Sequence, residues 1–242
     1  MKYAFLTATA VAAVLAASAG AQDRSVSMSG ISVDYRGNVD GDGEFSGASV
    51  DVSGTFGGDL EVSGGAVDVD AEVGGELEAS GGAMDIRGRF DGFAEISGGA
   101  VDIEAQFGSD VEISAGALDI SDSSRFAGAF ELSVGAADLY GTYEGAMDVE
   151  FGEMEFGGRA LQAVEFEGDK RSGMFRRRDR SELHISGQLE AGGEICAHRV
   201  EFRQGASVGG ALTVRADSEP SYPTGFDTSN IRFEMRDGDD CD

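Results

Sequence analysis

Proline is nearly missing from this chain: Pro220 and Pro223 are the only two in 242 residues. Everything before them keeps its backbone N–H, so a long array can donate to ladder hydrogen bonds without a gap. Tryptophan is absent, lysine occurs only at positions 2 and 170, and His184 and His198 are the only histidines. No G-x-S-x-G elbow, no Walker loop and no compelling nucleophile–base pair occurs. Apolar runs are confined to the N-terminus, so no other stretch is long enough to cross a bilayer as a helix. What is abundant is glycine, 38 residues, and acid, 45 Asp and Glu against 18 Lys and Arg, for a formal charge of −27. Such a balance suits a secreted, corner-rich β protein.

An apolar-acidic-apolar step recurs every seventeen residues, with its acid at Asp34, Asp51, Asp68, Asp85, Asp102 and Asp119. A fixed short period marks units stacked one on the next. A second register alternates Leu60, Glu61, Val62; Leu77, Glu78, Ala79; Ala94, Glu95, Ile96; and Val111, Glu112, Ile113. Period-two alternation is strand, with the aliphatics facing in and the acids out. Ser-Gly-Gly-Ala corners join the segments at 63–66, 80–83 and 97–100, with Ser-Ala-Gly-Ala at 114–117; glycine there is expected to supply positive-φ turns.

Such segments cannot bury an apolar face alone, whereas coils stacked about 4.8 Å apart can. The predicted fold is all-β: a parallel β-solenoid of 17-residue coils, right-handed by the crossover rule. Phe56, Val73, Phe90 and Phe107 suggest a third short face, which leaves a triangle or a flattened two-sheet prism open.

After Asp119 the next equivalent acid is read as Asp138 and then Asp148, which predicts irregular coils between them. Spacing then returns to seventeen, from Asp148 to Glu165 and from Gly192 and Gly193 to Gly209 and Gly210. The expected organisation is a signal peptide over 1–21, a solenoid over 22–217 interrupted by a polar, basic loop at 169–181, and a tail over 218–242 that covers the last coil. Lys2, the uncharged run Ala10–Ala17 and the A-x-A signal Ala19 to Ala21 carry the first of these assignments. The product is therefore expected in the periplasm, outside the cell or at its surface.

Between Ser25 and Gly168 thirty acids face five arginines. Stacking sets like charges about 5 Å apart, a repulsion of roughly 1 kcal/mol per pair in water. One reading is bulk screening of a solubilising flank. The other is a cation ladder, with Ca²⁺ along Asp51, Asp68, Asp85, Asp102 and Asp119 and along Glu61, Glu78, Glu95 and Glu112. Asn38, Asp40, Asp42 and Gly43 match part of an EF-hand loop, but Ser49 stands where the bidentate glutamate belongs, so a corner turn is the stronger reading.

Lys170, Arg171, Arg176, Arg177, Arg178 and Arg180 put a third of the basic side chains into eleven residues. They are read as a solvated insertion, as a docking element for envelope glycans, lipid headgroups or another copy's acidic flank, or as a protease-sensitive site. Nucleic acid is not an expected partner of so negative a chain. Cys196 and Cys241 are expected to form a disulfide that pins the tail, with Cys196 at the place of Glu78 and pointing outward. Zinc on Cys196, His198, Cys241 and His184 is the weaker alternative.

Enzyme readings fare poorly. Pectate-lyase-like helices use longer coils and clustered basic groups, and hexapeptide acyltransferases have eighteen-residue coils with a histidine base. A carboxylate pair such as Asp102 and Glu112 would satisfy a glycosidase, but thirty acids make any one pair undiscriminating. The repeats Val67–Gly81, Met84–Gly98 and Val101–Ala115, with Gly205 to Gly210, resemble the short-coil solenoids of the bactofilin, or polymer-forming cytoskeletal, group. The resemblance implies end-to-end self-assembly into nonpolar filaments and an envelope scaffold; the export signal and the acidity depart from that group. Adhesin-type domains with Ser-Gly-rich solenoid repeats are similar too. The expected function is a non-enzymatic scaffold, with a cation-dependent adhesin or glycan-binding module as the alternative.

Overall fold

The structure, a computed structural model, describes residues 25–168 and 181–236. All regular structure there is strand, and each strand pairs in parallel with its equivalent one coil away. The result is a β-solenoid of about 12 turns. No helix among the described residues is long and apolar enough to cross a membrane. Where the strands of a coil are separated, three segments are seen, as in Glu182–Ile185, Gln188–Leu189 and Gly193–Cys196. Each continues its own ladder, so a third side is present.

Parity fills the interior as the alternation requires. Leu60, Leu77, Ala94, Val111, Phe130 and Met147 stack in one buried file, and Val52, Val69, Ile86, Ile103, Ile120 and Leu139 in another. Each such side chain contributes about 1.5–3 kcal/mol by leaving water. The third segment carries the aromatic file: Phe90, Phe107, Phe126 and Tyr143 stack at 5.2, 5.0 and 5.0 Å between centroids.

Three expectations about register need correction. Asp148 is not in the aspartate file; it pairs with Glu131, while Asp138 pairs with Glu155. The coils between are regular, and the whole irregularity is a two-residue insertion before Arg125, because Asp119 to Asp138 spans nineteen residues and Asp138 to Glu155 seventeen. Ser124 absorbs it: its buried hydroxyl donates to Ile103 O at 3.1 Å and accepts from Ala105 N at 3.3 Å. Likewise Gly193 aligns with Leu212, nineteen residues on, not with Gly210. Finally, the pattern does not stop after Ala216, since Ile231–Met235 adds another strand beside Leu212–Ala216.

The corners also work differently from expectation. The glycines at 65, 82, 99 and 116 do not have positive φ; among the described residues that conformation occurs at Gly54, Gly88, Gly192, Gly193, Gly205 and Gly225. What requires glycine there is the coil beneath, since a Cβ on Gly99 would stand 2.6 Å from Gly82 O. The EF-hand-like string is a corner, as read: Asp42 Oδ1 accepts the Asp59 N–H at 3.1 Å, and Asp59 repeats the contact with Glu76 N at 2.8 Å.

Candidate interaction surface

Outward positions of the first two segments form two carboxylate files. The first stacks Glu44, Glu61, Glu78, Glu95, Glu112, Glu131, Asp148, Glu165 and Glu194, all exposed. The second stacks Asp34, Asp51, Asp68, Asp85, Asp102, Asp119, Asp138 and Glu155, then His184 and Glu201. The ladder residues named from the sequence thus do line up, but as two files on different sides. Asp102 and Glu112 belong to separate files and share no cleft.

The third segment carries three of the five arginines between Ser25 and Gly168: Arg89, Arg125 and Arg159 stack outward in one file with Gln106 and Thr142, while Arg36 and Arg87 stand beside the aspartate file. Arg89 donates to Asp91 Oδ1 at 2.8 Å, and Arg125 and Arg159 pair with Glu144 and Glu190. The charge therefore differs by side: the first file is all acid, the second is acid bridged by a few arginines, and the third is mixed.

Beside the second file runs a shallow groove of about 490 Å³, lined by Ala100, Ala117 and Ala136 and by Asp102, Asp119 and Asp138. It ends at Glu155, His184 and Arg203. Arg203 Nη1 donates to Glu155 Oε2 at 2.7 Å, and the Tyr140 hydroxyl to Oε1 at 3.1 Å. His184 Nδ1 lies 3.1 Å from Glu201 Oε2 without the alignment of a hydrogen bond. Partial burial, then the charges of Asp138 and Asp102, raise the Asp119 pKa above the ordinary aspartate value. Burial, the hydrogen bond to Glu155 and the nearby acids raise that of Tyr140. Tyr140 and Arg203 went unnoticed in the sequence, because Arg203 meets Glu155 only through coils 48 residues apart.

No group of three or more His, Cys, Asp or Glu side chains converges as a metal shell among the described residues. Cys196 stacks on Glu167 in the serine-bearing file of Ser80, not at the place of Glu78, and it is buried, 6 % exposed, rather than outward. The register error is two residues, and the position expected of Cys196 is held by Glu194. His198 Nδ1 accepts the Ser181 N–H at 3.1 Å and lies 2.9 Å from its hydroxyl. Ser181, assigned to the basic loop, is in fact buried at a corner, 2 % exposed. Pairing of Phe151 with Gly168 and of Glu153 with Glu182 puts twelve extra residues between them. The basic cluster Lys170 to Arg180, the leader 1–21 and Cys241 lie outside the described residues.

No family model matches the chain, and no curated protein or solved structure matches it.

Proposed function

We propose that this chain is an exported, non-catalytic structural protein, a stiff acidic rod that acts as a scaffold at an envelope or cell surface and associates with copies of itself. The observation behind this reading is the unbroken parallel ladder from Val26 to Met235. Eleven steps of about 4.8 Å make a rod roughly 50–60 Å long in which each coil holds its neighbours. Two solvent-exposed acid files keep such a rod soluble and prevent lateral pairing of its sides. A disulfide between Cys196 and Cys241 would tie the C-terminal segment to the stack, and the cluster Lys170 to Arg180 would dock on anionic envelope partners. Negative-stain imaging of the chain starting at Gln22 tests the reading: stiff rods or strings of rods are expected, and round particles would refute it. Replacing the six basic residues by serine is expected to release the protein from envelope fractions.

The groove beside Asp102, Asp119 and Asp138 favours a second reading, a glycan-binding module, since a hydroxyl-rich chain finds carboxylate acceptors along it together with His184 and Arg203. Glycan-array binding lost in Arg203→Ala would support it; no binding would remove it.

A further inference from the structure

The two ends of the rod are unlike. The first coil, Val26–Val39, pairs on one edge only, with Gly43–Phe56. Its other edge has no backbone partner among the described residues over fourteen positions. Val26, Met28, Tyr35 and Val39 are only partly buried there, whereas Phe45, Val52 and Phe56 one coil inward are at most 1 % exposed, and Ile31 is 86 % exposed. Sheets ordinarily guard such an edge with proline, lysine or covering chain, and the first coil has no proline and no lysine. The opposite end has those guards. The chain from Asp217 to Asn230 crosses it with Pro220 and Pro223, and Tyr222 and Phe226 stack on Phe202 at 5.3 and 5.2 Å. What is left there among the described residues is the five-residue edge Ile231–Met235 and the two-residue Ser207–Val208, whose Val208 carbonyl accepts from the Asn230 side chain at 3.1 Å.

We infer that the first coil is a docking surface for a second copy of this chain, two rods meeting N-terminal coil to N-terminal coil about a twofold axis. This deepens the self-association within the proposed function and rests on that reading. The charges select the arrangement. Asp34 and Arg36 flank Tyr35 at the open edge, both exposed, at 55 % and 67 % of the side chain. Antiparallel pairing centred on Tyr35 sets Asp34 opposite the partner's Arg36 and Arg36 opposite the partner's Asp34, two favourable cross-strand pairs. Cleavage after Ala21, where the leader is expected to end, leaves Gln22 to Arg24 ahead of Ser25. Three residues reach about 10 Å, too short to run along a fourteen-residue edge. A twofold contact uses up the open edge on both partners, so assembly stops at two rods instead of growing.

Sedimentation of the chain starting at Gln22 tests this. A dimer with a dissociation constant below about 10 μM is expected. Asp34→Arg and Arg36→Asp should each weaken it about tenfold or more, by setting like charges opposite each other. The combined exchange D34R/R36D should restore it, a result that damage to the fold would not give, and far-UV circular dichroism confirms that each variant keeps its strands. A monomeric wild type, or a double exchange that stays monomeric, overturns the inference. So do dimers that survive all three variants and vanish with Met235→Lys. Monomers that still image as stiff rods sink this docking surface alone, while round particles sink the structural reading beneath it.

Discussion

Arg87 Nη2 donates to both carboxylate oxygens of Asp68, at 2.7 Å each, across the gap between two coils. Its Nη1 also lies 3.7 Å from Asp85, the next member of the same file. One arginine therefore bridges two stacked acids, and Arg36 repeats the arrangement with Asp34 and Asp51 at 3.4 and 3.8 Å. The hydrogen bond to Asp68 raises the Arg87 pKa further, so the bridge stays charged. Both side chains are over 40 % exposed, which limits the net gain to about 1 kcal/mol. Arg87→Ala should lower the unfolding midpoint by about 2–4 °C at low salt and by less at high salt. A salt-independent loss in calorimetry would count against the electrostatic account.

Tyr143 lies in the aromatic file, fully buried, with its hydroxyl lacking a hydrogen-bond partner. Burial alone pushes its pKa well above the ordinary tyrosine value. The ring contributes by stacking on Phe126, whereas the unpaired hydroxyl costs about 1–3 kcal/mol. Tyr143→Phe should therefore stabilise by about 1 kcal/mol, while Tyr143→Ala should cost about 3–5 kcal/mol through the cavity it leaves. Equal losses in both variants, read by chemical denaturation, would show that the hydroxyl has a partner in solution.

These two sites mark what the sequence could and could not disclose. The acid files, the inward aliphatics and the parallel stack follow from period two within period seventeen, so they are legible from the return of Val67, Asp68 and Val69 as Met84, Asp85 and Ile86 and as Val101, Asp102 and Ile103. The pairing of Asp148 was not, because a Glu131 or Asp138 neighbour cannot be chosen by spacing once Ser121–Ser124 has inserted two residues. Cys196 was displaced by two positions for a different reason: Gly192 and Gly193 read as a corner pair, whereas Gly193 stands in the strand on Val164 and Cys196 therefore falls on Glu167. The groove's end was hidden for another reason: Glu155, His184 and Arg203, with Tyr140 bonded to Glu155 from outside the lining, come from different coils and share no motif.

Gly99 separates steric need from backbone freedom. An exposed glycine in extended backbone is ordinarily stabilised by alanine, by about 0.4–1 kcal/mol. Here the new methyl would meet Gly82 O at 2.6 Å, so Gly99→Ala should instead destabilise, by about 1–3 kcal/mol. Ser97→Ala in the same coil, whose side chain faces solvent, should stay within about 0.5 kcal/mol. A stabilised Gly99→Ala variant would mean that the coils are spaced more loosely at this corner than the backbone contacts imply.

The raised pKa of Asp119 makes a prediction with a definite sign. A carboxyl whose folded pKa exceeds its unfolded one, about 3.9, binds more protons in the folded state. Stability then falls as pH rises through the window from the unfolded to the folded value. The penalty is fully present above that window and absent below it. Asp119→Asn should therefore raise the midpoint at pH 7 by a few degrees at most, because solvent screens the site. The gain should vanish below about pH 4. A gain that persists in acid would reassign the effect to packing.

Salt should act on the acid files in the same direction as that substitution. Adjacent carboxylates about 5 Å apart repel by roughly 1 kcal/mol in water, and nine stand in one file and eight in the other. Sodium chloride is therefore expected to raise the unfolding midpoint steadily as the Debye length drops below the coil spacing, to about 3 Å near 1 M. Calcium has a stricter requirement of six to eight oxygens at about 2.3–2.6 Å. A straight file offers two neighbouring carboxylates to any one ion, so millimolar Ca²⁺ should raise the midpoint no more than sodium chloride of equal ionic strength does. A larger rise with Ca²⁺ that saturates with concentration would establish the cation ladder, and Asp102→Asn, which interrupts the aspartate file, should then reduce it.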